Sequence, residues 1–134
     1  MRAGKQLTLI ALTITTVSCA TTYDSSIHVG TVAPTTTVLP TGTAAELLPQ
    51  LVTEASKLSA LINGGGDKMA AVERIEALWA AVSTDVTVKD REIATEITAE
   101  IAKGRTAARL NRPGAADKVY RNLTALVQAY LAGA

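Results

Sequence analysis

The sequence has very little of three residue types that enzymes and small cores often use. Its 134 residues include one cysteine, one histidine and no phenylalanine. A single cysteine excludes an intramolecular disulfide. Because Cys19 and His28 both precede residue 43, the remainder of the chain has neither a thiolate nor a histidine-activated nucleophile. Aromatic residues make up 3% of the chain and hydrophobic residues 48%, so a core has to be built from Leu, Ile, Val and Ala, which favours closely packed helices.

The chain also lacks an excess of positive or negative charge. The formal net charge is +1, and without Arg2 and Lys5, which belong to the leader described below, it is near −1. This balance is not that of a nucleic-acid-binding protein, and we expect no nucleic-acid partner. Gly64-Gly65-Gly66 has neither the lysine nor the preceding strand of a phosphate-binding loop. We therefore predict a protein without a cofactor and without enzymatic activity.

Residues 1–18 have the three-part pattern of a secretory signal peptide. Arg2 and Lys5 give a positively charged start, and Leu7 to Val17 form an apolar segment diluted by threonine. This segment is shorter than the roughly 20 apolar residues that span a bilayer comfortably. The pattern predicts export from a bacterial cytoplasm.

The end of the leader resembles the lipobox of bacterial lipoproteins, in which a small residue precedes a cysteine. Ser18 and Cys19 fit that pattern, whereas Thr16 stands where the family usually has an aliphatic residue. The resemblance implies a diacylglycerol on the Cys19 thiol, cleavage before Cys19 and acylation of the new amine. Two or three acyl chains hold a membrane firmly. The alternative is an ordinary cleavage site, Ser18-Cys19-Ala20, which would release a secreted chain after Ala20.

Residues 19–42 differ in composition from what precedes and follows them. They are rich in threonine and contain Pro34 and Pro40, which predicts a disordered tether of extended character. Random-coil scaling gives such a stretch a reach of about 25 Å, which suits a spacer that lifts a domain off a membrane. His28 lies here without ligand partners, so we expect a solvated side chain rather than a metal ligand.

Residues 43–134 have helical periodicity and predict an all-α domain, a small antiparallel four-helix bundle. Thr43 to Glu46 is a capping-box signature for the first helix, and Pro49 allows either a kink there or a helix that starts at Pro49. Asn63 to Gly66 ends this helix. Asp67 is the N-cap expected for the second helix.

The remaining boundaries follow from polar breaks and glycines. We predict a break at Ser83-Thr84-Asp85, a third helix over 88–110, and a fourth over 115–131 after the Asn111 to Gly114 loop. Gly104, Ala107 and Ala108 thin the later turns of the third helix and permit close approach of a neighbour. Short connections between four helices favour an up-down bundle.

Five glutamates are the candidate metal ligands. Glu92, Glu96 and Glu100 stand at four-residue spacing on the third helix, and Glu73 and Glu76 form a pair on the second. Carboxylates that converge from two helices bind a hard cation. The interpretation that we favour is a solvated surface with pairs across a turn, such as Glu100–Lys103 or Lys89–Glu92, because metal sites in bundles usually include histidine as well.

A set of basic residues follows the acidic one: Lys103, Arg105, Arg109, Arg112, Lys118 and Arg121. These residues either contact anionic lipid headgroups near the anchor or complement the dipole at the C-terminus of the third helix. The second interpretation is favoured, because cations at that position stabilise any helix.

The last three helices also resemble the small extracytoplasmic helical domains attached to bacterial iron permeases. The resemblance rests on the Trp79 helix, the glutamate-bearing helix and a last helix ending near Tyr130. It implies a role in iron uptake and transfers no site residues.

Two functional hypotheses follow. The first is a non-enzymatic lipoprotein, anchored through Cys19, that presents a helical bundle as an interaction or structural module to a protein partner at the bacterial cell envelope. The second is an extracytoplasmic binding protein for a cation or small ligand.

Overall fold

The computed structural model describes residues 38–133 of the chain. These residues form four helices: α1 (Ala44–Gly64), α2 (Lys68–Lys89), α3 (Arg91–Arg109) and α4 (Pro113–Ala132). The leader, Cys19, His28 and the tether as far as residue 37 lie outside the described residues, and what the sequence predicts for them stays a prediction.

The helices form a closed four-membered bundle. α1 packs against α2 and α4, α3 packs against the same two helices, and the diagonal contact between α1 and α3 is marginal. The connections Gly65–Asp67, Asp90 and Leu110–Arg112 are short, so successive helices run antiparallel. The predicted all-α four-helix bundle is confirmed.

α1 begins where the capping signature predicts. The Glu46 carboxylate accepts hydrogen bonds from the Thr43 backbone N–H at 2.9 Å and from the Thr43 hydroxyl at 3.0 Å. Pro49 lies inside the helix. Since proline has no N–H, the Ala45 carbonyl loses its usual partner, yet the helix runs from Ala44 without a break.

The turn from α1 to α2 also follows the sequence. Gly65 has a φ of 68°, in the left-handed region that glycine adopts at helix C-termini. The Gly66 N–H donates to the Leu61 carbonyl at 2.9 Å. The Asp67 carboxylate accepts from the Ala70 N–H at 2.9 Å, the expected N-cap bond.

The predicted break at Ser83-Thr84-Asp85 is wrong, because α2 continues through it to Lys89. Val82 and Val86 are four residues apart and buried, so they extend the apolar stripe across the polar segment. The Thr87 hydroxyl donates to the Ser83 carbonyl at 2.6 Å and so finds a partner within the helix.

The break occurs instead at Asp90, which ends one helix and starts the next. Its backbone N–H donates to the Val86 carbonyl at 2.7 Å, and its carboxylate accepts from the Ile93 N–H at 3.0 Å. α3 therefore starts at Arg91 rather than at residue 88. α4 starts at Pro113, two residues earlier than predicted, because proline suits the first position of a helix.

The core contains aliphatic residues almost exclusively. The larger cluster has bulky members from all four helices and one aromatic ring, Tyr130. The smaller cluster is poor in bulk: Leu58, Ile62, Ala71, Val72, Ala107, Ala108 and Ala116. Near it, a methyl group on the buried Gly104 would lie 3.4 Å from Val119 Cγ1 and 3.8 Å from Leu58 Cδ2. The predicted close approach at the small residues of α3 is therefore present, against α4.

Substitutions at Gly104 test this packing. Gly104→Ala adds a methyl group at contact distance and removes the helix penalty of glycine, so we expect the free energy of unfolding to rise by up to about 1 kcal/mol. Gly104→Leu has to displace Val119 or Leu58, and we expect a loss of about 1–3 kcal/mol. Urea unfolding measures both. The control is Gly114, which has no neighbour within 4 Å of an added Cβ; equal losses from Gly104→Leu and Gly114→Leu would contradict the close packing.

Asp90 offers a second test. Asp90→Ala removes the N-cap of α3, and we expect a loss of about 1 kcal/mol in the free energy of unfolding. Asp90→Asn keeps an acceptor and should recover most of that stability. Asp85→Ala is the matched control, since Asp85 lies exposed inside α2. If Asp85→Ala costs more than Asp90→Ala in urea unfolding, the helix boundary lies where the sequence first indicated.

Candidate functional site

The candidate glutamates of α2 and the buried glutamate of α3 lie on two different sides of α3. Glu76 on α2 forms a two-pronged ion pair with Arg105 on α3: Arg105 Nε donates to Glu76 Oε1 at 2.7 Å, and Nη2 donates to Oε2. The hydrogen bond to Glu76 raises the pKa of Arg105 above its usual value, and the charges of Glu76 and Glu73 add to this. Glu73 and Glu76 thus face a cation of the protein itself.

Glu100 lies on the other side of α3, against α4. Each helical residue adds about 100° of rotation, so Glu100 and Arg105 point roughly 140° apart. Glu92 is exposed in the first turn of α3, where a carboxylate complements the helix dipole. Between residues 38 and 133, no three carboxylate, imidazole or thiol groups are placed to hold one metal ion. The structure therefore does not bring the five glutamates together.

Glu100 is the one charged side chain in the described core. Its side chain is 9% exposed, and its Oε1 accepts from Lys103 Nζ at 2.6 Å, the pair across a turn that the sequence predicts. Glu100 Oε2 is buried and has no hydrogen-bond partner in the described part of the chain. A buried acceptor left without a donor costs about 1–3 kcal/mol, and such a group calls for an explanation.

Glu100 lines a groove between α3 and α4 that consists of two adjoining cavities. The first, of about 460 Å³, also has Lys103, Thr106, Arg112 and Lys118 in its lining. The second, of about 420 Å³, is lined by Glu96 and Asn122 together with Glu100 and Lys103. We call this surface the α3/α4 groove. Cavities of this size accommodate small molecules.

Three of the six basic residues named from the sequence line the groove, and the other three, Arg105, Arg109 and Arg121, do not. Lys103, Arg112 and Lys118 border its first cavity, whereas Arg105 is held by Glu76 on the other side of α3. Within residues 38–133, neither Arg112 nor Lys118 takes part in an ion pair. Arg112 is the N-cap residue of α4 and Lys118 lies in its second turn, so these two basic residues belong to α4 rather than to the last turn of α3.

Asn122 is a groove residue that the sequence analysis did not select. It is half-buried and lies beside Val119 and Leu123, on the buried side of α4. A polar residue next to an apolar stripe was the available signal. Lys89, expected to pair with Glu92, lies instead over the Tyr130 ring, with Nζ 4.7 Å from its centre.

A cluster of three charged residues connects α1 and α2. Glu54 accepts from Lys57 at 2.7 Å and from Arg74 at 3.1 Å. The hydrogen bond from Lys57 holds the pKa of Glu54 below its usual value against the opposing effect of burial, and Arg74 lowers it further. Both oxygens of Glu54 thus have partners, which sets Glu54 apart from Glu100.

No helix among residues 38–133 combines the length and apolar character needed to cross a membrane. Comparison with known proteins adds no relative: the chain matches no protein-family model, and no curated protein or solved structure is significantly similar to it.

The free-energy cost of burying Glu100 Oε2 without a hydrogen-bond partner leads to a stability prediction. Glu100→Leu removes the buried oxygen without a partner and adds apolar contacts, so we expect the free energy of unfolding to rise by about 1 kcal/mol. Thermal and urea unfolding measure the change. Glu92→Leu, at an exposed position of the same helix, should stay within about 0.5 kcal/mol of the parent protein. A loss of stability in Glu100→Leu would mean that the Glu100–Lys103 pair stabilises the fold.

Proposed function

We propose that this protein is a non-enzymatic lipoprotein, held at the bacterial cell membrane through lipid on Cys19, that presents its helical bundle to a partner in the cell envelope. The observation that carries the proposal is the position of Cys19. It follows a charged start at Arg2 and Lys5, an apolar segment and Ser18. A cysteine at that position has a purpose in a lipoprotein leader, and the chain has no second cysteine with which it would form an internal disulfide.

The layout of the bundle supports the proposal. α1 has its own capping box at Thr43 and Glu46, and the first residue of the core is Leu47. The helical domain therefore has a defined start after residues 19–42. In this proposal residues 19–42 serve as the spacer that a surface-presented module requires.

The composition of the bundle supports a binding or structural role rather than catalysis. Residues 43–134 contain no histidine and no cysteine, and the titratable groups with displaced pKa values, Glu46, Glu54 and Arg105, each owe the displacement to a partner within the bundle.

Mass spectrometry of the mature N-terminus tests the anchoring. We expect a chain that begins at Cys19 and has the added mass of a diacylglycerol and an amide-linked acyl group. Cys19→Ala should abolish the added mass and release the protein from the membrane fraction. Ser18→Ala is the matched control, because it keeps a small residue before the cysteine and should be lipidated normally. A mature chain that starts at unmodified Thr21 would refute the proposal.

A further inference from the structure

The α3/α4 groove contains charges of both signs, and they are separated along its length. Glu96 lines only the second cavity, and Arg112 and Lys118 line only the first, whereas Glu100 and Lys103 line both. The six residue steps from Glu100 to Thr106 extend about 9 Å along α3. One end of the groove is therefore negative and the other positive.

The negative end also has an acceptor without a donor. Glu100 is nine-tenths buried, and its Oε1 is held by Lys103 while its Oε2 has no partner in the described residues. Lys103, whose Nζ lies 2.6 Å from Oε1, has a side chain that is 64% exposed, so a ligand that displaced it would gain access to the carboxylate. A donor that reached Oε2 would complete the hydrogen bonding of the carboxylate.

We propose that the α3/α4 groove binds a small linear zwitterion, with its ammonium group at Glu100 and Glu96 and its carboxylate or phosphate group at Arg112 and Lys118. A purely anionic ligand would be repelled by the two carboxylates, and a purely cationic one by the three basic side chains. An apolar ligand would leave Glu100 Oε2 without a donor. A zwitterion aligned with the groove pairs both ends at once.

The same chemistry comes from two sources, a free metabolite with an amino group and an acid group, or the headgroup of a zwitterionic lipid such as phosphatidylethanolamine. The two cavities, of about 460 and 420 Å³, have the volume of a free small molecule. The test therefore includes one arm for each source.

The first arm is an NMR titration of the complete chain carrying Cys19→Ala, so that the outcome does not depend on lipid attachment. The probe is 6-aminohexanoate, and hexylamine and hexanoate each lack one of its two charges. We expect saturable amide shifts at Glu100, Lys103 and Asn122 with 6-aminohexanoate, and at least about tenfold weaker binding of either singly charged compound. Equal binding of hexylamine or hexanoate would overturn the proposal, and so would the absence of a saturable shift together with no vesicle binding in the second arm.

Variants assign the contacts. Glu100→Gln keeps the shape of the side chain and removes its charge, so we expect about tenfold weaker binding of 6-aminohexanoate. Lys118→Ala should weaken hexanoate and 6-aminohexanoate alike, but not hexylamine. Glu92→Gln is the matched control, since it changes an exposed carboxylate of the same helix outside the groove. Unchanged affinity in Glu100→Gln, with the variant folded by circular dichroism, would contradict the assignment.

The second arm measures sedimentation of the same Cys19→Ala chain with vesicles of phosphatidylcholine alone or mixed with phosphatidylethanolamine. Binding to the mixed vesicles that Glu100→Gln abolishes assigns the groove to the lipid headgroup. Titration with 6-aminohexanoate but no vesicle binding assigns it to a free zwitterion. If neither probe binds, the groove is not a zwitterion site, and the lipidation of Cys19 is unaffected by that result.

Discussion

The structure depends on burying four apolar helix faces against one another without large aromatic side chains to fill the space between them. The buried apolar residues are Leu, Ile, Val and Ala with Tyr130 as the aromatic member, and Trp79 and Tyr120 pack half-buried against them. Short side chains fill only a narrow gap, so the helices have to approach closely. This requirement is met most clearly at Gly104, where the backbone of α3 lies close to Val119 of α4.

The close approach of α3 and α4 at Gly104 also determines the burial of Glu100, which lies one turn earlier in α3. Glu100 lies four residues before Gly104, on the same face of α3 and against α4. With α4 so near, a side chain that would be exposed on an isolated helix is 9% exposed in the bundle. The short residues Ala102 and Ala115 leave room between the helices at the surface, and the α3/α4 groove forms there. One packing constraint thus produces both the burial of the carboxylate and the cavity beside it.

The sequence is sufficient to predict the helix ends that are fixed by hydrogen bonds or backbone angles within a few residues. Thr43 with Glu46, Gly65 and Asp67 each act through hydrogen bonds or backbone angles within a few residues, and each was identified correctly. The boundary between α2 and α3 was misplaced because Ser83 and Thr84 are polar while the burial of Val82 and Val86 is decided by other helices. Asp90 carried a valid signal, an N-cap followed by an acidic first turn, which the polar cluster before it obscured.

The site was predictable only in part, for a geometric reason. Four-residue spacing places Glu92, Glu96 and Glu100 near one face, but it does not say where on that face α4 lies. The structure separates them into an exposed residue, a rim residue and a buried one. The partner of Glu76 was equally inaccessible, because Arg105 is 29 positions away in the chain.

The free-energy cost of burying Glu100 is large relative to the total stability of a domain of this size. Small domains bury a modest fraction of their surface and have little stability to spare, so an unpaired buried oxygen is a cost that an aliphatic side chain at the same position would avoid. Local departures from stable packing are characteristic of functional positions. Glu54 sharpens the argument, because the same residue type on α1 has both oxygens paired. The bundle is thus able to satisfy a carboxylate fully, and at Glu100 it leaves one oxygen without a donor among residues 38–133.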